Sequence, residues 1–457
     1  ERLGGLRPHA PEGAHGQFLD SSSRSAILSI NQSVGETKPA IVANTVSAYR
    51  LNSGDRANIT AATGQLNLFD GLSVGAGFVQ QTGGIVRVGL DANVAGGTPA
   101  GLALGTGGGS PKYLLSGGTL AASGITGTSN AAIDWQGGTI STLDGASMSV
   151  GSTVDFQMSA SGTHSLHVAD ADQSMTLNAT AKISGSGNLT KSGPGKLVLL
   201  GVTAQYPYTG TTTISDGILL VKNQTALPGW NTAGKVSAAA RAANGADGTV
   251  TAGTVAFNVG GTGEWTTTNI GTILGTNGRI TFEDGSALGI DTSNAPGTVT
   301  VSSRITGTKG LTKLGTGTLT LNPSNNNTFT GITTVLGGTL QLGTTSNTII
   351  PAGSGFDVQG GILDLGGKNI TLSAAFQATT AHPNPALSWA PFLTQPSRVT
   401  FAGGTVQNGT ITNNTSASGF DSIYDGQSGT VSANLAGLAM LWKTTAGTLT
   451  LTGNNSY

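Results

Sequence analysis

Cysteine is absent from this 457-residue chain, which excludes disulfides and thiolate metal sites. Charged residues make up only 9% of it, and 22 acidic residues nearly balance 21 basic ones, so no basic surface for nucleic acid is expected. No apolar run reaches the roughly 18 residues that a membrane-spanning helix needs. Helical periodicity is scarce too, since only residues 236–243 look helix-prone.

Glycine, by contrast, is abundant. It accounts for 73 of the 457 residues, about 16% where soluble domains average about 7%. The apolar residues are mostly Val, Ile and Leu, and they alternate with Thr and Ser in short runs. That composition is typical of half-buried strands joined by tight turns. A stack of repeats also explains the length, because each repeat contacts only its neighbours and no single core has to grow.

A long internal repeat gives the strongest evidence for such a stack. Residues 187–221 align with residues 309–343 at a constant offset, and a third copy begins at Leu441 and runs to Tyr457. The matched positions of the first two copies are Leu189 with Leu311, Lys191 with Lys313, Gly195 with Gly317 and Leu197 with Leu319. Self-similarity of this kind predicts a repeat fold.

A shorter Gly-Gly motif sets the predicted length of one rung. Its first glycine stands at positions 83, 117, 137, 337, 360 and 403, with local spacings of 20 and 23 residues. The segments IDWQ (133–136) and VDFQ (154–157) match type for type at a spacing of 21. We therefore expect Ile133 to stack on Val154, with Asp134 and Asp155 on the outer face, because side chains alternate along a strand.

Three regions interrupt the pattern. Residues 1–60 carry few repeat signals and are predicted to form an N-terminal cap or assembly segment, with the solenoid running over 61–457. Residues 222–247 form a longer excursion. Residues 375–396 contain four prolines, which cannot lie in a central ladder, so this segment is predicted to leave the solenoid as a loop. Both excursions are expected to provide contact surfaces.

The long repeat resembles the autotransporter-associated β-strand repeat. The shared pattern is Leu-Thr-Lys, a Gly-x-Gly turn, Thr-Leu-x-Leu, an Asn-rich turn, aromatic-Thr-Gly and then Gly-Gly-Thr-Leu. Residues 305–343 fit it almost throughout, 183–221 fit with Asp216 replacing a glycine, and 441–457 fit as a truncated copy. Residues 75–123 look like the related Gly-rich repeats of large bacterial surface proteins. The resemblance implies an all-β, right-handed parallel β-helix (β-solenoid) of about 21 residues per rung, exported by a bacterium to the cell surface or the extracellular space.

Such a scaffold does not imply one activity. Our leading hypothesis is a non-enzymatic structural protein without a cofactor, acting as a surface stalk, an adhesin or a subunit of a head-to-tail fibre. The alternative is a carbohydrate-active enzyme, either a glycan hydrolase or a lyase, that uses Asp134 and Asp155. On stacked rungs their carboxylates would lie about 5 Å apart. The absence of Lys and Arg from residues 125–180 argues against an enzyme.

Two further sets of residues were considered for binding. His164, His167, Asp170 and Asp172 are the densest group of metal-ligand types, but the odd spacing of the two histidines places them on opposite faces of a strand. Trp230, Trp389 and Tyr424 are predicted to lie in or near loops, where they would contact a glycan or a partner, or simply pack a loop onto the solenoid.

The ends of the chain suggest self-association. The third copy stops at Tyr457, before the Thr-Gly and the second Gly-Gly strand that complete the other copies. An unpaired strand edge favours association. We therefore expect either a fragment of a longer protein or a fibre in which the N-terminal segment of one copy completes the last repeat of the next. The residues predicted to take part are Ile27, Leu28, Ile30, Ile41, Val42, Leu449, Leu451 and Tyr457.

Overall fold

A computed structural model describes residues 72–74, 78–89, 101–105, 110–151, 153–201, 206–239, 253–275, 278–344, 348–372, 399–414 and 423–457, together with strand backbone at 29–30, 41–43, 50–51, 56–59 and 65–68. The chain divides into two compact units, Glu1–Gly210 and Thr211–Tyr457. Both are built from parallel strands that stack as a β-solenoid with rungs about 24 residues apart, slightly longer than the 21 predicted. The predicted fold class is therefore confirmed.

The first unit consists of strands only, among its described residues. They are β1 (Ser29–Ile30), β2 (Ile41–Ala43), β3 (Arg50–Leu51), β4 (Arg56–Ile59), β5 (Gln65–Leu68), β6 (Leu72–Val74), β7 (Phe78–Gln81), β8 (Ile85–Val88), β9 (Leu102–Leu104), β10 (Lys112–Leu115), β11 (Thr119–Ala122), β12 (Gly124–Gly127), β13 (Ala132–Trp135), β14 (Gly138–Thr142), β15 (Met148–Val150), β16 (Asp155–Met158), β17 (His164–His167), β18 (Ser174–Leu177), β19 (Lys182–Gly185), β20 (Leu189–Ser192) and β21 (Lys196–Leu199).

Every third strand of this unit joins the same parallel ladder. One ladder runs β1-β4-β7-β10-β13-β16-β19. A second contains β2, β5, β8, β11, β14, β17 and β20, and a third contains β3, β6, β9, β12, β15, β18 and β21. Each rung therefore supplies one strand to each of three faces. Because β4 (Arg56–Ile59) pairs with β7, the boundary predicted at residue 60 does not coincide with the end of a ladder.

The interior is filled by rows of apolar side chains, one from each rung. In the first ladder the row is Val79, Tyr113, Ile133, Phe156 and Ile183, and all five are buried. Burial of each such side chain contributes roughly 1.5–3 kcal/mol. Alternation along each strand leaves the residues between them partly exposed, as with Asp155 and Gln157 of β16. The rows thus explain why Val, Ile and Leu alternate with polar residues.

The second unit continues this design with one helix among its described residues. Its elements are β22 (Thr212–Ile214), β23 (Ile218–Val221), a single 3₁₀ turn (Gln224–Ala226), β24 (Val236–Ala238), β25 (Thr254–Asn258), α1 (Thr267–Leu274), β26 (Ile280–Phe282), β27 (Ala287–Asp291), β28 (Val299–Val301), β29 (Gly310–Leu314), β30 (Thr318–Leu321), β31 (Ile332–Val335), β32 (Thr339–Leu342), β33 (Gly355–Val358), β34 (Ile362–Leu372), β35 (Val399–Asn413), β36 (Ile423–Val431), β37 (Asn434–Gly437), β38 (Met440–Lys443) and β39 (Leu449–Leu451).

The one stretch that looked helix-prone begins with a strand, and the helix of this unit lies elsewhere. Val236–Ala238, inside the stretch that looked helix-prone, is a strand that pairs in parallel with β22 and β26, and both Val236 and Ala238 face the interior. The actual helix, α1, begins after Thr266, whose side chain and that of Asn269 form a reciprocal capping box. Ile270 and Ile273 bury its inner face. Tertiary burial therefore outweighs local propensity at both places.

Turn glycines let successive rungs approach each other closely. Gly338, in the turn between β31 and β32, has φ +60°, and a Cβ there would lie 2.3 Å from the carbonyl oxygen of Gly317 in the adjacent rung. In the other long copy, Asp216 replaces the first glycine of the pair, and Gly217 after it has φ +64°. The second position of the pair carries the positive φ at both turns, so an aspartate at the first position is tolerated.

Candidate functional site

All three copies of the long repeat carry a lysine at the same position, so this residue is the first candidate site. Lys191 on β20 has no exposed surface. Its ammonium Nζ donates hydrogen bonds to the carbonyl oxygens of Ser192 at 2.9 Å and of Gly193 at 2.7 Å. Burying an ammonium group is costly unless its donors are satisfied. The side chain therefore folds back at the end of its strand and holds the carbonyl groups of the following turn.

Lys313 occupies the same place on β29 in the second copy. It is fully buried, and its Nζ donates to the carbonyl oxygens of Leu314 at 2.5 Å, Gly315 at 2.9 Å and Gly337 at 3.2 Å. The third acceptor belongs to the next rung, so this lysine ties two rungs together. Burial lowers the pKa of Lys313 to about 8, while the nearby Asp291 carboxylate raises it and so opposes part of the shift.

In the third copy the equivalent residue is Lys443 on β38, and it is exposed. Its Nζ still donates to a carbonyl of the following turn, that of Thr445. The hydrogen bond within the turn is therefore intrinsic to the repeat, whereas burial of the lysine depends on a rung stacked over it.

Two other side chains use the same geometry, and sequence reasoning missed them. Gln81, at the end of β7, is buried and donates from Nε2 to the carbonyls of Gly83 and Gly84 at 3.1 and 3.2 Å. Trp135, at the end of β13, donates from Nε1 to Gly138 at 3.1 Å. An inward-facing donor two or three residues before a turn glycine is the signal that would have identified this role.

The pair of aspartates predicted for the enzyme alternative does not form. Ile133 pairs with Phe156 rather than with Val154, so Asp134 lies beside Gln157 and Asp155 lies beside Ala132. The actual register differs from the predicted one by two residues, which keeps every inward side chain inward. The stacking of Asp134 on Asp155 is therefore wrong, because alternation alone does not distinguish these two registers.

The histidines separate as the odd spacing predicted. His164 is fully buried, and its Nε2 and Nδ1 lie 2.9 Å from the carbonyl oxygen of Trp135 and 3.2 Å from that of Asn188. Burial lowers its pKa. His167 is partly exposed on the opposite face. Among the described residues, no group of three His, Asp or Glu side chains is placed to hold a metal ion.

The three aromatic residues predicted as contact points do not share one environment. Tyr424 lies in β36, is fully buried, and its hydroxyl is 2.7 Å from the carbonyl oxygen of Ala436, so its placement on the surface was wrong. Its ring stacks on Phe401 inside the solenoid. Trp230 is half-buried and packs edge-on against Trp265, with ring centroids 5.1 Å apart. Trp389, with the proline-rich segment 375–396, lies outside the described residues.

The residues predicted for assembly fall at both ends of the ladders. Ile30 lies in β1, and Ile41 and Val42 lie in β2, which pair with β4 and β5 of the same chain. Leu449 and Leu451 of β39 are half-buried, and Tyr457 is 41% exposed. Ile27 and Leu28 lie outside the described residues. One edge of β1 and one edge of β2 are therefore already paired within the chain. A role for these residues in assembly stays a prediction.

The described residues form a parallel β-solenoid in which two of the three copies of the long repeat bury a lysine beneath the following turn. In this architecture the chain is similar to the solenoids of autotransporter passengers. The comparison with known families agrees. Residues 189–221, 311–342 and 442–457 match the passenger-associated-transport-repeat family. These segments coincide with the three copies of the long repeat, including the three lysines. The match indicates a secreted or surface protein.

Neither the curated proteins nor the solved structures yield a match to this chain. No helix in the described part of the chain is long and apolar enough to cross a membrane.

Proposed function

We propose that this chain is a non-enzymatic structural segment of a bacterial surface protein, serving as a stalk that carries or spaces other parts of the molecule. The observation that supports this most is where the recognised repeats lie. All three matched segments supply ladder strands and turns, and the one charged position that all three share donates hydrogen bonds to carbonyls of the following turn. The one charged side chain that defines the repeat therefore stabilises the turns that connect stacked strands.

Surface labelling tests the location and glycan hydrolysis tests the non-enzymatic role. Antibodies raised against the purified chain are expected to stain intact cells that make the native protein. Staining that requires cell lysis would contradict a surface stalk.

The purified chain is expected to release no reducing ends from a panel of bacterial and plant polysaccharides. Release that disappears in the double variant Asp134→Ala, Asp155→Ala would favour the enzyme alternative instead.

A second candidate function is self-association into head-to-tail fibres, and exposed apolar side chains support it. The large hydrophobic side chains that stand most exposed in the described structure are Leu438, Met440 and Tyr457. Leu438 and Met440 lie just before and at the start of β38, which pairs with β36, and Tyr457 follows β39, which pairs with β36 as well. We propose that the N-terminal segment of a second copy, residues 26–46, adds to this edge by strand addition.

The fibre proposal is tested by removing either partner surface. Light scattering and negative-stain images of the full chain should show concentration-dependent filaments. Deletion of residues 1–46, or the double change Leu438→Ser and Met440→Lys, is expected to abolish them. Gly367→Ser, at the register shift within β34 and with open space around it, is the control that should still assemble. Filaments that persist in the deletion variant would exclude strand donation from this end.

A further inference from the structure

An open polar groove lies on the outer face of the first unit, over strands β10, β13 and β16. Its volume is about 490 Å³. Most of its lining residues carry hydroxyl or amide side chains, together with one carboxylate and the buried Met158: Ser116, Asp134, Gln136, Gln157, Met158, Ser159 and Ser161. No lysine or arginine is among these lining residues. The groove is distinct from the buried lysines, which lie inside the solenoid.

The two aspartates of this face differ in what they contact. Asp155 is fully engaged: it accepts hydrogen bonds from Gln157 Nε2 at 3.2 Å and Ser184 Oγ at 2.8 Å, and it forms an ion pair with Lys182 at 3.3 Å. Asp134 is half-buried and faces the groove, and its carboxylate has no hydrogen-bond or ion-pair partner within the described part of the chain. A partly desolvated carboxylate without a donor is an unused, strong acceptor.

The remaining polar groups of the groove complement this acceptor. Gln136 accepts a hydrogen bond at Oε1 from Ser116 Oγ at 3.3 Å, which leaves its amide N–H groups available as donors. Gln157 uses its Nε2 on Asp155, which leaves its carbonyl oxygen as an acceptor. The groove thus offers a carboxylate, an amide oxygen and an amide donor side by side.

That set of groups fits ligands with neighbouring hydroxyl groups, because each hydroxyl both donates and accepts. The charge of the groove narrows the class of ligand further. Asp155 is paired with Lys182, so Asp134 is the one unpaired charge among the lining residues, and it is negative. An acidic polysaccharide would be repelled, whereas a neutral sugar gains a charge-assisted hydrogen bond.

We propose that this groove binds a neutral glycan, with Asp134 as the principal acceptor for its hydroxyl groups and Gln136 and Gln157 as the flanking contacts. Binding here involves no bond breaking, and it is independent of the stalk function, since a stalk without the groove would still fold and reach the surface. It also differs from the enzyme alternative, because Asp155 is held by Lys182 and takes no part.

Saturation-transfer NMR on the full chain tests the proposal with stated probes. Neutral cello-, malto- and chito-oligosaccharides are presented at millimolar concentration, alongside oligogalacturonate as the acidic comparison and a Gly-Ser peptide as the non-sugar one. At least one neutral series is expected to show transfer from the protein to its ring protons. Absence of transfer to every neutral series, or stronger transfer to the acidic sugar or the peptide, would overturn the proposal.

Variants then locate the site. Asp134→Asn keeps the side-chain shape, and we expect it to weaken binding roughly tenfold or more, as loss of one charge-assisted hydrogen bond implies. The matched control is Gln359→Ala, which removes a glutamine bonded to Asp357 in the same Asp-x-Gln pattern of the second unit. Gln359→Ala should bind as the parent chain does. Equal affinity of the parent and Asp134→Asn, with both folded by circular dichroism, would refute the site.

Discussion

The second and third copies of the long repeat share a sequence but differ in environment. Lys313 of the second copy has no exposed surface and bonds to three carbonyls, one of them in the next rung, whereas Lys443 of the third copy is exposed and bonds within its own turn. The comparison shows that the repeat encodes the turn, while the neighbouring rung supplies the burial. Stability in this fold therefore comes largely from contacts between adjacent rungs.

The largest expected effect comes from forcing apart the rungs that bury Lys313. In Gly338→Ala the new methyl group meets the carbonyl oxygens of Gly317 and Gly315 at 2.3 and 2.5 Å, at a positive φ. We expect destabilisation of about 3 kcal/mol or more, measured by chemical denaturation.

Gly367→Ala provides the control for that change. Gly367 also has a positive φ, of +79°, but a Cβ there meets nothing within 4 Å. It should cost about 1 kcal/mol, from backbone strain alone. Equal losses in the two variants would show that close approach of the rungs contributes nothing.

A smaller effect is expected from removing the lysine itself. Lys313→Met deprives three carbonyl oxygens of a donor inside the solenoid, which we expect to cost about 1–3 kcal/mol. Lys443→Met removes an exposed donor and should change the free energy of unfolding by less than about 0.5 kcal/mol. Thermal and urea denaturation of both variants give the comparison directly. A loss in Lys443→Met as large as that in Lys313→Met would contradict it.

The pH dependence of stability sharpens the same contrast. Burial lowers the pKa of Lys313 to about 8 in the folded chain, whereas an unfolded lysine titrates near 10.4. Between about pH 8 and 10.4 the unfolded state binds more protons, so this residue makes the free energy of unfolding increase with pH. The free-energy cost of burying the charged ammonium group of Lys313 applies in full below about pH 8. It disappears above the pKa of the unfolded lysine.

Denaturation midpoints measured across that interval isolate the contribution of Lys313. The parent chain and Lys443→Met should both gain stability relative to Lys313→Met as the pH rises. A difference that stays constant or shrinks over the interval would mean that the folded state does not lower the pKa of Lys313.

The smallest effect is expected at the surface of the first unit. The ion pair of Asp155 with Lys182 is exposed on the lysine side, where solvent screens it. Lys182→Met should therefore cost less than about 1 kcal/mol, and the loss should shrink further in high salt. A salt-independent loss comparable with that of Lys313→Met would show that outer ladder positions matter as much as the interior.

Sequence reasoning reached the parallel solenoid because its signals are local and repeated. Spaced glycine pairs and alternating apolar residues need no knowledge of the neighbouring rung. The register between neighbouring strands could not be predicted from these local signals. Pairing Ile133 with Val154 or with Phe156 satisfies the same alternation, and only the length of the intervening turn decides between them. The predicted pairing of Asp134 with Asp155 failed for this reason.

The candidate sites were harder to predict because they depend on contacts between rungs. Tyr424 was expected at the surface, yet its strand stacks into the interior and its hydroxyl is satisfied by backbone carbonyls. Lys191 and Lys313 were recognised as part of a motif, but a lysine in a strand ordinarily suggests an exposed position. Their burial follows from turn carbonyls in need of a donor, which the sequence alone does not display.

Acetylation of lysines in the folded 457-residue chain, followed by peptide mass spectrometry, tests the central claim most directly. With a soluble acyl ester at neutral pH, Lys443 should react at the rate of an exposed lysine. Lys191 and Lys313 should stay unmodified until the chain is unfolded, and Gly338→Ala should make Lys313 reactive. Modification of Lys313 in the native parent chain as fast as that of Lys443 would contradict the burial of the repeat lysine between stacked rungs.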